Sequence, residues 1–409
     1  MAGHRPPLPL RRLHGPAQPA HPTGEGGGAT GTDRVIVTTP LTTFVPKRVL
    51  ATASGLFLLG PVLPPLLALV DGAIRAREGR AIRPVPLPPD PLVEVVVPAY
   101  LEAGIIETTI LQLRTSLRRV GVRHRLHVVA SDLDTATAAR RVADAVTVTG
   151  RVGKAAAVNA AVQASGADVI VLTDANCEIH PTNWPEHVLT ELRESALVSA
   201  NKRERGARDS LYWMYEALIK KQSAHESLSV VGEFLAFRRQ DFRPIPNVIL
   251  DDAWLAADFH SRGLKVVVSQ TLSTIEDEAD GPAQWDRRVR MVEGQFAEGL
   301  ARVPTLLKSR TGRYYVAHKL YRLTLGAAAF WVAAGSLARL LPWSLKPIVP
   351  LALTAAVTSY RGDRIPPEPL RTACAAIALQ AVPVAASVRL IRRRLRGDTE
   401  GNLWAKVAR

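Results

Sequence analysis

The chain has 409 residues, 47% of them hydrophobic, and carries 52 lysines and arginines against 37 aspartates and glutamates for a net charge of +15. That length accommodates about two to three domain-sized units, and the apolar share excludes a largely disordered chain. Aromatic residues are only 5% and are not interleaved with the basic runs, which excludes nucleic-acid stacking platforms and argues for no nucleic-acid partner; two distant cysteines, Cys177 and Cys374, exclude a disulfide framework.

Residues 1–48 are rich in Pro and Gly, without apolar periodicity, and are predicted to be a disordered tail. Residues 49–71 contain an uncharged run from Leu50 to Val70, long enough for a transmembrane helix. Pro61, Pro64 and Pro65 predict a kink there, with an embedded hairpin or an interfacial segment as the alternatives. The run starts too far into the chain, and without an A-x-A site, for a cleaved signal peptide. A Pro-rich linker, RPVPLPPDP, follows.

Residues 92–283 alternate between short β-branched runs and helical stretches. Strands are predicted at Val93–Val97, Leu126–Val129, Ala145–Val148 and Val169–Leu172. Between the first two, Ile106, Ile110, Leu113, Leu117 and Val120 share one helical face. Such alternation specifies an α/β domain with a mostly parallel sheet flanked by helices. Residues 284–322, with Trp285, Tyr314, Tyr315 and Tyr321, are predicted as interfacial amphipathic helices. Three weaker apolar segments, 323–341, 346–359 and 371–388, make residues 323–390 the C-terminal transmembrane region. A basic tail, 391–409, follows. Five arginines between Arg389 and Arg396 favour an even number of crossings after the α/β domain, which keeps the tail inside.

Ligands of an open parallel sheet bind at the carboxyl ends of its strands. The first predicted strand ends at Pro98-Ala-Tyr100-Leu-Glu102, the second at Ser131-Asp132-Leu-Asp134, the fourth at Asp174-Ala-Asn176. Gly153-Lys154 opens a helix that also carries Asn159, and helix starts favour anions. Each feature alone has a bland explanation as a cap, a turn or a solvated charge. Their convergence suits a nucleoside diphosphate bound with a divalent cation. AYLEAG after the first strand is no G-x-G-x-x-G loop, and no Walker motif, H-E-x-x-H or nucleophile elbow occurs. His180, His260 and Cys177 are expected to be structural.

In this order VVVPAYLEAG, SDLDTAT, GRVGKAAAVNAA, VLTDANCEI, GEFLAFRR, LDDAWLAADFHSRGLKVVV and QWDRRVRMVEG resemble the family 2 inverting glycosyltransferases of the GT-A fold, related to polysaccharide synthases. The likeness spans about residues 92–300 and suits the integral-membrane branch. It implies that Tyr100, Glu102, Asp132, Lys154 and Asp174 bind the donor nucleotide. Asp174 matches the first carboxylate of the D-x-D motif that holds Mg2+ or Mn2+ as cofactor, and Asn176 replaces the second. Gly232, Glu233, Phe234 and Asp251 would border donor sugar and acceptor. Asp252 stands where the family keeps its general base, although a helix cap would account for it equally well. Arg288 and Arg290 match the arginines of Q-R-x-R-W and would face the diphosphate. Arg287 there replaces Gln, and Met291 replaces the Trp that stacks on the acceptor of processive enzymes.

The resemblance thus implies a multi-pass cell-membrane glycosyltransferase with its catalytic domain in the cytoplasm. It would transfer a sugar from a nucleotide-sugar donor, a UDP-sugar by expectation, to a lipid-linked or cell-surface glycan acceptor. A processive polysaccharide synthase is the alternative within the enzyme class. Outside it stands a catalytically silent nucleotide-sugar-binding membrane scaffold.

Overall fold

The computed structural model describes residues 41–78, 86–205, 215–216, 227–277, 279, 281–362, 367 and 369–396. Thr42–Arg409 form one compact unit. Residues 1–40 of the predicted tail, Arg80, Arg83 and the basic tail from 397 onward lie outside the described residues.

Helix α1 runs through Leu41–Glu78 without interruption, where the prolines predicted a kink or hairpin. Pro64 and Pro65 lack the N–H groups that would bond the carbonyls of Gly60 and Pro61. The Tyr215 hydroxyl donates to those two oxygens instead, at 3.4 and 2.9 Å, so the helix continues with its freed acceptors satisfied.

The α/β domain follows as β1 (Val93–Ala99), α2 (Ile106–Val120), β2 (His124–Ala130), α3 (Leu133–Ala139), β3 (Ala145–Val148), α4 (Lys154–Ala164) and β4 (Val169–Thr173). Next come β5 (Glu178–His180), α5 (Trp184–Glu191), β6 (Leu197–Arg205), β7 (Phe234–Arg238), α6 (Asp251–Ser261) and β8 (Val266–Asp277). The eight strands form one sheet in the order β3-β2-β1-β4-β7-β6-β8-β5. β3, β2, β1 and β4 are parallel, as the alternation predicts. β7 runs antiparallel between β4 and β6, and β5 antiparallel to β8. The sheet is therefore mixed, with a parallel half and an inserted reversed strand.

Apolar residues leave β1 on both faces. Val93, Val95 and Val97 pack with Ile106, Ile110, Leu113 and Leu117 of α2, while Val96 packs with Val158 of α4 and Leu255 and Phe259 of α6. Burial on both sides explains why β1 and β4 are continuous apolar runs rather than alternating ones. Parallel pairing in register sets the carboxyl ends of β1, β2 and β4 along one sheet edge.

Beyond the sheet, α7 spans Gly281–Gly294, α8 Arg310–Leu340, α9 Ile348–Arg361 and α10 Leu370–Arg396. Trp285, Val289 and Val292 of α7 pack on Tyr360 of α9 and on Ala375, Ala378, Val382 and Ala386 of α10. Trp285 and Tyr315 are buried in the protein, so these two rings are core side chains and not the surface anchors the composition suggested. α8 and α10 are long and apolar enough to cross a membrane.

Candidate active site

The antiparallel pairing of β7 with β4 sets Thr173 opposite Phe234. Gly232-Glu233 therefore lie beside Asp174 at the carboxyl end of β4, although far apart in sequence. Asp174 N–H and Thr173 Oγ1 both donate to the Glu233 carbonyl, at 3.3 and 3.1 Å. Lys154, first residue of α4, donates its Nζ to Asp174 Oδ1 at 2.7 Å and to the Gly232 carbonyl at 3.2 Å. Burial works against the Lys154 charge, but Asp174, Asp251 and Asp252 outweigh it and raise its pKa above the ordinary ammonium value. Burial likewise raises the Asp174 carboxyl, opposed by Lys154 and reinforced by Glu233.

Asp252 closes this group from α6. The helix takes Leu250 as its N-cap, so Asp251 and Asp252 occupy its first turn and neither is the cap. A Cβ on Gly232 would lie 3.3 Å from Asp252 Oδ2, which lets only glycine bring the loop this near the carboxylate without displacing it. Burial, then the adjacent Asp251, raise the Asp252 carboxyl to about 7, while the Ala253 N–H and Lys154 pull the other way. A carboxylate that titrates near neutrality can take a proton from an attacking hydroxyl and still be ionised beforehand.

Other expected contacts serve the frame. Asp132 accepts the Thr135 N–H at 2.8 Å, capping α3, and the Leu101 N–H at 2.7 Å. Leu101 has φ 55°, a left-handed conformation uncommon outside glycine, and the Asp132 bond fixes it beside Tyr100. The Arg151 guanidinium stacks over the Tyr100 ring at 4.9 Å. Glu102 bonds back to the Tyr100 N–H at 3.3 Å. Phe234 is fully buried, edge-on to Trp184, so it belongs to the core and not to the sugar-facing loop the resemblance implied. The Cys177 thiol is buried and pushed up to about 12 by that burial and by Asp174, as an unreactive structural residue should be.

Sequence reasoning missed the cluster beneath this edge. Lys202 Nζ meets Glu276 at 2.5 Å, Glu233 at 2.7 Å and Glu204 at 3.0 Å. Arg287 of α7 joins it through Glu233 at 2.6 Å and Glu276 at 3.0 Å. The cations hold the Glu233 carboxyl below the ordinary range despite its burial, so this side chain is engaged by the protein rather than turned to a sugar. The available signal was charge inside apolar strands: Lys202 and Glu204 in β6, Glu276 in β8. Arg288 is buried on α7. Arg290 feels burial and Arg287, which lower its pKa, and Asp251 and Asp174, which raise it. The tertiary structure thus brings Lys154, Asp174, Gly232, Asp251, Asp252 and Arg290 together.

Asn176 donates its amide to Glu276 at 3.1 Å, leaving its oxygen as the acceptor end. Among the described residues no three His, Cys, Asp or Glu side chains are grouped to hold a metal ion. One carboxylate, Asp174, with an amide oxygen nearby fits a cation of the magnesium kind, which takes one or two protein ligands and fills its shell from phosphates and water.

Residues 94–246 match glycosyl transferase family 2. A mannosyltransferase from Pyrobaculum calidifontis, solved with GDP-Man and Mn2+, is similar in structure, with 20% identity over 85% of this chain and 99% of that one and a TM-score of 0.62. A mannosyl-3-phosphoglycerate synthase from Rubrobacter xylanophilus is 16% identical over 61% of this chain and 85% of that one, with a TM-score of 0.40. No curated protein sequence matches the chain. The first likeness bears on the fold alone, and the family match covers the strands whose carboxyl ends carry the site. The chain is therefore a glycosyltransferase, with a family 2 domain of the GT-A fold.

Proposed function

We propose that the protein is a membrane-anchored inverting glycosyltransferase that moves one sugar from a nucleotide sugar onto a lipid-linked or cell-surface glycan acceptor. The observation that carries this reading is Asp252, titrating near 7 at the edge where Lys154, Asp174 and Gly232 meet. The acceptor hydroxyl gives its proton to the Asp252 carboxylate as its oxygen attacks the anomeric carbon. The bond from that carbon to the diphosphate oxygen breaks, and the nucleoside diphosphate leaves with the electron pair. Attack opposite the leaving group inverts the anomeric centre.

Charge on the departing diphosphate calls for nearby cations. Lys154 and Arg290 are the side chains of this chain that serve it. Asp174, with the Asn176 oxygen, would hold Mg2+ or Mn2+, which when bound neutralises phosphate charge as a Lewis acid. Donor identity stays open to a panel of UDP-sugars and GDP-mannose, the last because the similar archaeal mannosyltransferase was solved with it. Met291 in place of an acceptor-stacking Trp supports single transfer over processive extension, and product length tests that point.

Membrane attachment is supported by α8 and α10, which are long enough to span about 30 Å of hydrocarbon. The reading as a whole is tested by nucleoside diphosphate release from each donor in wild type and Asp252→Asn. Release should fall by about 10^2- to 10^4-fold in the variant. Undiminished release would overturn Asp252 as the base, and no release by wild type with any donor and acceptor would favour the silent scaffold.

A further inference from the structure

The amino end of α6, where Asp251 and Asp252 stand, has no side-chain cap of its own: Leu250 is the N-cap. The N–H groups at such an end lack intrahelical partners. The N–H of the N-cap Leu250, and that of Ile249 just before it, find a partner 48 and 49 residues further along the chain, at Glu298. Glu298 Oε1 accepts the Ile249 N–H at 2.8 Å and the Leu250 N–H at 3.3 Å. A glutamate inside a helix does this for its own N-cap in a capping box, whereas here it is supplied by another segment.

Three features hold Glu298 in place. After α7 the chain makes a π turn, Gln295–Gly299, of the kind that re-aims side chains at functional sites. Gln295 in that turn accepts the Tyr315 hydroxyl of α8. Gly294, just before it, has no room for a side chain, because a Cβ there would stand 2.4 Å from Leu250 Cγ. Leu250, Ala253 and Ala257 of α6 line a small cavity together with Gln295 and Glu298.

We infer that Glu298 is a positioning residue for Asp252: its carboxylate caps α6 from outside and sets where the general base stands. The inference rests on the reading of Asp252 given above. Hydrogen bonding, rather than charge, is the requirement. Burial raises the Glu298 carboxyl above the ordinary range, opposed by the two N–H groups it caps, and a neutral acid still accepts them through its carbonyl oxygen.

The test uses the full chain in detergent, with whichever of GDP-mannose, UDP-glucose, UDP-galactose and UDP-N-acetylglucosamine is turned over fastest as the probe. Asp252→Asn is measured first, and if it keeps wild-type release the base reading itself fails, whatever Glu298 does. With that variant inactive, Glu298→Gln, which keeps an acceptor at the same reach, should hold kcat within about threefold of wild type. Glu298→Asp, one methylene shorter, should lose about 10- to 100-fold in kcat with donor KM unchanged. Three results overturn the proposal: full activity in Glu298→Asp, an equal loss in Glu298→Gln, or a donor KM that rises in step with the loss of kcat.

Discussion

Asp252 is raised to about 7 chiefly by burial and by Asp251, and the shift acts on rate and stability with opposite sign. As the proposed base it would work only when ionised, so kcat/KM should fall about tenfold per pH unit below 7 and level off above it. For stability the reference is the unfolded chain, where an aspartate titrates near about 3.9. Below that value both states are protonated and the shift has no adverse effect. Between about 4 and 7 the unfolded state has released its proton while the folded state still holds it, so stability falls as pH rises. Asp252→Asn cannot titrate, and its melting temperature relative to wild type should therefore be higher at pH 8 than at pH 4. Lys202 is the opposite kind of residue, a buried cation that three carboxylates require. Lys202→Met would remove the ammonium they share and should cost about 3–5 kcal/mol, read as a lowered midpoint of thermal unfolding. Neither effect is visible in the sequence near these residues. Asp251-Asp252 is a plain acidic helix start until Gly232, Lys154 and Asp174 are folded against it. Lys202 acquires Glu276 only through the β6–β8 register that sets it opposite Thr274.

Among elements, α7 couples the site to the carboxyl-terminal helix. Arg287 ties its first half to Glu233 and Glu276. In its last turn Glu293, fully buried, faces Arg389 and Arg393 of α10, each at 3.1 Å. The arginine-rich segment after the last apolar stretch thus pairs two of its members with a buried carboxylate. A chain ending at Val388 would strand the Glu293 charge in a dry environment, which should lower the melting temperature of the whole catalytic domain. Adding Glu293→Met to that truncation should recover part of the loss, because it removes the uncompensated ion. The strands of the parallel half were legible as β-branched runs to within two residues of their ends. β7 was not, since a single reversed strand leaves no mark on periodicity and is decided by pairing.

For the whole molecule, the proposed membrane reading makes a topological prediction. α8, with 31 residues, and α10, with 27, extend about 46 and 40 Å and exceed the bilayer core, whereas α9, with 14, reaches only about 21 Å. Ser309, just before α8, bonds His260 of α6 at 2.7 Å, and Arg389 and Arg393 near the end of α10 meet Glu293. Two crossings by α8 and α10 would leave the start of α8 and the end of α10 on one side of the membrane, as the proposed reading expects. In sealed inside-out vesicles the tail after α10 should be cleaved by added protease together with the catalytic domain, and protection of the tail would contradict the arrangement. By itself the sequence determined the α/β class, the parallel half of the sheet, the strand ends that bear Tyr100, Asp132 and Asp174, and the likeness to a transferase family. Those follow from local periodicity and from residue types at strand ends, which are written in consecutive positions. Only the tertiary structure decided that Glu233 and Asn176 are engaged by a buried ion cluster, that Arg287 anchors α7, and that Glu298 caps the helix of Asp252. Those contacts join residues tens of positions apart, and their partners are set by strand order and helix packing, which no local pattern encodes.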